Sequence, residues 1–156
     1  MCIELVTDQS QDLAAGIAKF PPSLRVFDLA FGNHGGSHTL EETQDPLSLA
    51  LHRLCLGLEE MCIFGFTLGD EFFWPATDTM PCWPRLKELI IYMEAITPSG
   101  KHHLAQDSST QQKVAMALQQ MPNLSSMELK ILRSEGDYAY EYDNKSQRFL
   151  RKVTAW

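Results

Sequence analysis

The stretch "LKELIIYM" at residues 86–93 decides the fold, because related stretches occur three more times in a short chain. They are "LRVFDLAF" from Leu24, "LEEMCIFG" from Leu58 and "LSSMELKI" from Leu124. Each has a large apolar side chain at its first, fourth and sixth positions, and the four stretches begin 34, 28 and 38 residues apart. A recurring pattern of this kind predicts a recurring structural unit.

The alternation of apolar residues within each stretch predicts a β-strand. Positions four and six share one face of a strand, and the first-position leucine anchors the turn that enters it. We therefore predict strands near residues 24–31, 58–64, 86–93 and 124–131. The residues expected to fill the interior at positions four and six are Phe27, Leu29, Met61, Ile63, Leu89, Ile91, Met127 and Leu129.

The segments between the stretches are long enough to connect parallel strands, which need crossovers of a dozen or more residues. "DPLSLALHRLCLG" predicts a helix with Asp45 as its N-cap and Pro46 at its first position. "SSTQQKVAMALQQM" predicts another, which begins at Ser108 or Ser109 and is closed by Pro122. A third helix is predicted before the first strand, from about Ser10 to Lys19.

The middle crossover differs because Pro75, Pro81 and Pro84 interrupt it. Only the short "DEFFW" segment can be helical, and Phe72, Phe73 and Trp74 are expected to fold back under the sheet as an irregular cover. Such an aromatic cluster is more typical of a core than of a ligand site. The N-terminal "CIELV" is a candidate for one more strand.

The last 20 residues have a different pattern. Tyr138, Tyr140 and Tyr142 occupy alternate positions, "DNKSQ" supplies turn residues, and "RFLRKVTAW" continues. This pattern predicts a β-hairpin over residues 137–155. Residues 1–156 are thus predicted to form a single α/β domain, a short irregular solenoid of four or five parallel strands with helical crossovers and a C-terminal β-hairpin.

Composition excludes several classes of function. The chain has 156 residues, 44% of them hydrophobic, and a formal net charge of −7. A phosphate backbone would be repelled by that charge, so no nucleic-acid partner is expected. There is no apolar run near the ~20 residues that cross a bilayer and no signal peptide, so no membrane association is expected. The basic stretch "KSQRFLRK" is read as a solvated strand face rather than a docking patch.

The cysteines indicate a reducing compartment. Cys2, Cys55, Cys62 and Cys82 include no CxxC pair of the kind found in zinc or redox sites. The last three lie among apolar neighbours, where a free thiol behaves as a small hydrophobe. An intracellular protein, cytoplasmic or nuclear, is therefore expected.

Four segments carry a resemblance to a known family. They are "LEEMCIFGFTLGDEFFWP" (58–75), "CWPRLKELIIYMEAITPSGK" (82–101), "MPNLSSMELKI" (121–131) and "VTAW" (153–156). In this order they resemble the C-terminal portion of leucine-rich-repeat-like, F-box-associated proteins of filamentous fungi, over roughly the last hundred residues. The resemblance implies a leucine-rich-repeat-like fold that selects substrates for a ubiquitin ligase recruited by an N-terminal F-box. No F-box-like segment precedes the first repeat, so the expectation includes a truncated product, a fragment or a stand-alone module.

The second face of the predicted strands carries the candidate binding residues. Most side chains at positions three, five and seven are small or acidic, but Phe64, Ile90 and Tyr92 are apolar. We predict that these three anchor a protein partner and that acidic neighbours select basic residues on it. The acidic residues concerned are Glu60, Glu88 and Glu128. The alternative is that a missing N-terminal domain or the hairpin covers the three apolar side chains.

The sequence predicts no catalytic or metal-binding motif. His34 and His38 have a metal-ligand spacing, but two glycines lie between them and make a helix improbable; His102 and His103 form a second pair. There is no complete phosphate-binding loop and no GxSxG elbow. We expect no enzyme, no cofactor and no metal. The alternatives are a degenerate fragment without independent activity and a metal-dependent enzyme that uses these two histidine loops.

Overall fold

In the part of the chain that the structure describes, seven strands form one sheet and follow one another in chain order. The computed structural model describes residues 2–5, 10–31, 46–65, 68–75, 80–94, 108–132, 136–143 and 148–155. The strands are β1 (Cys2–Leu5), β2 (Val26–Phe31), β3 (Glu60–Phe64), β4 (Glu88–Glu94), β5 (Ser126–Leu132), β6 (Gly136–Asp143) and β7 (Arg148–Ala155). Strands β1 and β7 lie at the two ends of the sheet.

The predicted α/β class and the four parallel strands are confirmed. Strands β2, β3, β4 and β5 pair in parallel, and β1 adds to β2 in the same sense. Strands β5, β6 and β7 pair antiparallel, in the region where the sequence predicts a hairpin. The sheet is therefore a parallel block with an antiparallel end.

Three helices within the described segments lie where the apolar spacing predicts them. They are α1 (Ser10–Ile17), α2 (Pro46–Cys55) and α3 (Ser108–Gln119). Pro46 occupies the first position of α2, where its missing N–H costs no hydrogen bond; Asp45, its predicted N-cap, lies outside the described residues. Helix α1 ends before the predicted Lys19, because the chain tightens there: Lys19 N–H donates to the Gly16 carbonyl at 3.0 Å.

The register of the parallel strands places equivalent residues in rows. The fourth-position residues pair as Phe27 with Met61, Leu89 and Met127, and the sixth-position residues as Leu29 with Ile63, Ile91 and Leu129. All eight are at most 3% exposed. These rows form the centre of the core, as the alternation predicts.

Helices and the middle crossover cover this face of the sheet. Ile17 of α1, Leu51 of α2 and Ala117 of α3 belong to the same buried cluster as the strand residues. The middle crossover contributes a one-turn 3-10 helix at Asp70–Phe72 together with the buried rings of Phe72, Phe73 and Trp83. The predicted aromatic cover of Phe72 and Phe73 is confirmed, and Trp74 packs against the core as a half-buried residue.

A backbone ladder fixes the start of the strands. Second-position residues are hydrogen-bonded in sequence: Glu59 N–H donates to the Arg25 carbonyl at 2.7 Å, and Lys87 N–H to the Glu59 carbonyl at 2.7 Å. Ser125 N–H continues the ladder to the Lys87 carbonyl at 2.8 Å. Because each strand is tied to its neighbour before regular pairing begins, a one-residue slip in register is disfavoured.

Helix lengths bear on membrane association. In the part of the chain that the structure describes, no helix combines the length and the apolar character needed to cross a bilayer.

Candidate binding face

The side of the sheet away from the helices is called the open face here. It comprises positions three, five and seven of β2 to β5, and none of these residues belongs to the buried core. The strand register places them in three rows. The rows are Val26, Glu60, Glu88 and Ser126; Asp28, Cys62, Ile90 and Glu128; and Ala30, Phe64, Tyr92 and Lys130.

The structure brings the three predicted apolar residues together. Phe64 and Tyr92 are paired on β3 and β4, and their rings meet edge-on, with centroids 5.1 Å apart at 85°. Ile90 lies two residues before Tyr92 on the same face of β4 and pairs with Cys62. All three side chains are half-buried. They form a small apolar cluster on neighbouring strands, which aromatic packing stabilises.

The predicted acidic residues lie beside this cluster, on β3, β4 and the neighbouring β5. Glu60 and Glu88 are directly paired across β3 and β4. Glu128 pairs with Ile90 on one side and with Glu141 of β6 on the other. Two carboxylate pairs therefore border the apolar cluster in adjacent rows.

Tyr92 links the apolar and acidic parts of the open face. Burial, a hydrogen bond to Glu128 and the negative charge of that carboxylate raise the pKa of the Tyr92 phenol. The Lys130 ammonium lies 6.0 Å from the centroid of the Tyr92 ring, at the outer limit of a cation–π contact. The ring is therefore oriented by neighbours on both adjacent strands.

Cys62 occupies the middle of the open face. The pKa of the Cys62 thiol is raised to about 11, chiefly by burial. The negative charge of Asp28 and a hydrogen bond with that side chain also raise it. The carboxylates of Glu88 and Glu60 act in the same direction. The thiol is consequently neutral at physiological pH and is a poor nucleophile.

Three further residues contribute to this face, and no role was predicted for them: Asp28, Lys130 and Glu141. Asp28 and Lys130 could have been selected from the alternation, because both lie at odd positions of the predicted strands. Glu141 could not, because its place beside Glu128 depends on the register between β5 and β6.

A second polar feature lies on the covered side and joins α2 to the middle crossover. The buried Ser48 hydroxyl accepts a hydrogen bond from Gly69 N–H at 2.8 Å, and His52 Nδ1 lies 2.7 Å from the Phe72 carbonyl. The Trp83 ring meets the His52 ring edge-on at 5.4 Å. The four-residue spacing of Ser48 and His52, next to the apolar stripe of α2, was a usable signal for this seam.

No metal centre is seen in the portion of the chain that the structure describes, where no group of three His, Cys, Asp or Glu side chains could hold an ion. The two histidine loops, with His34, His38, His102 and His103, lie outside the described residues. The structure therefore leaves the metal-dependent alternative untested.

These features define the class: a mixed α/β protein whose helices cover one face of a largely parallel sheet, and whose other face carries an apolar cluster beside paired carboxylates. Residues 8–156 match the model of DUF6546, a family of unknown function, and the chain belongs to that family. Neither a curated protein nor a solved structure matches the sequence.

Proposed function

We propose that this chain is a protein-recognition module that binds its partner on the open face of the sheet. The observation that carries the proposal is the contact between Phe64 and Tyr92, beside Ile90, on a face that none of the described helices covers. Aromatic side chains held in place by their neighbours are typical anchors of protein interfaces, where a few residues supply most of the binding energy.

The acidic pairs indicate the chemistry of the partner. Like charges placed directly opposite one another in a sheet are destabilising, and Glu60 faces Glu88. A partner segment with lysine or arginine beside an apolar residue would relieve this repulsion and bury the aromatic cluster in one step. Charge of this kind increases specificity and the rate of association more than it increases affinity.

We also propose that the parallel block is a short leucine-rich-repeat-like solenoid. Three features support it: the ladder of second-position residues, a recurring turn and a contact between crossovers. In the turn, the N–H of Leu24, Leu58 and Leu124 donates in each case to the carbonyl three residues earlier. Between crossovers, Asn123 Nδ2 donates to the Pro84 carbonyl at 2.5 Å. Such units bury their apolar faces against neighbours and present an extended surface.

The biological setting is a further part of the proposal. Resemblance to fungal F-box-associated repeat proteins supports a role as the substrate-receptor portion of an F-box-type ubiquitin ligase system, in the cytoplasm or nucleus. The bound partner would then be a protein marked for degradation. The family match carries no function, so this part depends on the resemblance alone.

The first test is comparative affinity purification from the native cell. Tagged wild type and the Phe64→Ala/Tyr92→Ala double variant are captured in parallel, and the bound proteins, including ligase adaptor subunits, are quantified by mass spectrometry. Met116→Ala is the matched control, because Met116 is exposed on α3 and lies outside the open face. We expect specific proteins that wild type and the control retain and the double variant loses. An identical set from all three would contradict the proposal.

The second test addresses charge with defined peptides. A peptide library that varies lysine and arginine around one apolar residue is screened against purified protein, and the affinity of selected peptides is measured at two salt concentrations. Glu60→Gln/Glu88→Gln should weaken binding and reduce its salt dependence. Glu59→Gln is the control, because Glu59 is paired with Lys87 at 2.6 Å and lies outside the open face. Equal loss in both variants would contradict selection by the open face.

A further inference from the structure

A groove of about 670 Å³ lies between α1 and α2, on the helical side of the sheet. Its walls are mostly apolar and come from both helices and from the turn that follows α1. The main contributors are Ala14, Ile17, Phe20, Leu24, Leu49 and Leu54. The volume is in the range of sites that bind small molecules, which are typically apolar with a few polar groups.

The groove is built on packed elements. Ile17 belongs to the buried core, and Phe20, Leu24 and Leu54 pack against that core as half-buried residues. Phe20 is further fixed by its contact with Phe27, with ring centroids 5.5 Å apart. A site with such walls is formed before a ligand arrives, which lowers the cost of binding.

Among the described residues, one cationic side chain lines the groove, Arg53 of α2. Its guanidinium makes no hydrogen bond or ion pair with another described residue. The nearby Arg25 differs, because its Nη1 donates to the Pro22 carbonyl at 2.9 Å and to the Leu24 carbonyl at 3.0 Å. Arg53 is thus available to an anionic ligand, and a guanidinium matches a carboxylate through two parallel hydrogen bonds.

We propose that this groove binds an amphipathic monocarboxylate of the fatty-acid type, with its alkyl chain along the apolar walls and its carboxylate on Arg53. The charge on Arg53 selects the head group, and the apolar lining selects the chain. The proposal is independent of protein recognition on the open face, since it uses different residues on the helical side of the sheet.

The test is calorimetric titration of the purified full chain with octanoate, decanoate and dodecanoate below their micelle concentrations. We expect saturable binding of one molecule per chain. Affinity should rise about fourfold for each methylene group that enters the groove, the ratio expected for burial of one CH₂. Absence of saturable binding, or affinity that does not depend on chain length, would overturn the proposal.

Variants separate the head-group and chain contributions. Arg53→Gln should weaken decanoate binding about tenfold or more, as expected for loss of a charged hydrogen-bond partner, and leave binding of the alcohol of equal chain length unchanged. Arg85→Gln is the control, because Arg85 is exposed and does not line the groove. Equal affinity of Arg53→Gln and wild type for decanoate would overturn the assignment of the carboxylate site.

A blocking variant tests the location. Ala18 is exposed on the rim of the groove, so Ala18→Trp should fill the groove and abolish binding while the thermal unfolding midpoint stays near that of wild type. Unchanged decanoate binding by this variant would overturn the location. Sedimentation of the ligand-free protein tests whether a second copy of the chain occupies the groove instead. A wild-type dimer that Ala18→Trp dissociates would show this and would also overturn the proposal.

Discussion

Two isoleucines follow one another in β4, and their side chains lie on opposite faces of the sheet. Ile91 is 1% exposed in the core, whereas Ile90 is half-buried on the open face. The same truncation therefore has different consequences at neighbouring positions. Comparing the two truncations tests whether the alternation of side chains along β4 places one face in the core and the other on the open face.

Ile91→Ala should lower the free energy of unfolding by about 3 kcal/mol, because it leaves a cavity in a packed core. Ile90→Ala should lower it by about 1 kcal/mol or less, because its surroundings are partly solvated. Urea denaturation of the two variants measures both values. Equal losses would show that the two faces of β4 are buried alike.

The Cys62 thiol makes the free energy of unfolding depend on pH in the alkaline range. The pKa of its thiol rises from the ordinary value of 9.0 to about 11 in the folded chain. Between these values the unfolded chain has released the proton and the folded chain retains it, so stability should fall as pH rises from 9 to 11. Denaturation at intervals across this range tests the slope, which should be shallower in Cys62→Ala. Cys82→Ala, at an exposed position, should keep the wild-type slope.

At the scale of elements, two glycines show how position determines the effect of a methyl group. Gly65 follows β3 with φ of 78°, in the left-handed region that side chains rarely adopt. Gly16 lies in α1, where an added Cβ meets nothing within 4 Å. The first glycine terminates a strand, whereas the second only weakens a helix.

Gly65→Ala should therefore destabilise the protein by about 1–2 kcal/mol, and Gly16→Ala should stabilise it by about 0.5–1 kcal/mol. Thermal and urea unfolding of the two variants provide the measurement. Stabilisation by both substitutions would mean that residue 65 does not need a left-handed backbone conformation after β3.

The seam of hydrogen bonds holds α2 against the described part of the middle crossover. His52 and Ser48 hydrogen-bond the backbone of a segment whose described residues include one helical turn. His52→Ala should lower the free energy of unfolding by about 2–4 kcal/mol, because it removes a buried ring and leaves the Phe72 carbonyl unpaired. The adjacent Arg53→Ala, at an exposed position, should change it by less than about 0.5 kcal/mol. Similar small effects from both variants would contradict a structural role for the seam.

At the scale of the whole molecule, strand position predicts local stability. Strands β3 and β4 are hydrogen-bonded on both sides and carry core residues, whereas β7 is bonded to β6 alone among the described strands. Backbone amides of β3 and β4 should exchange with solvent only on global unfolding, and those of β7 through local opening. Hydrogen exchange followed by mass spectrometry would show this order. Uniform exchange across the sheet would contradict it.

The spacing of apolar residues predicted most of the parallel block. Alternation along strands and three- or four-residue spacing along helices can be read from the sequence without knowing which distant residues are in contact. Leu89 and Ile91 were assigned to the core for this reason, and both are buried. The seam and the groove were not predicted, since they depend on contacts between distant segments, such as Ser48 with Gly69 and α1 with α2. The open face was predicted as a set of residues, but its edge at Glu141 required the register of β6.

The position of β7 at the end of the sheet has a consequence for colloidal behaviour. An end strand presents unpaired backbone groups that invite strands from other molecules, and this is a common route to fibrils. Strand β7 carries Arg148, Arg151 and Lys152 within eight residues. Antiparallel docking of two copies along β7 would place two sets of these basic residues on neighbouring strands, so electrostatic repulsion should oppose polymerisation, most strongly at low ionic strength.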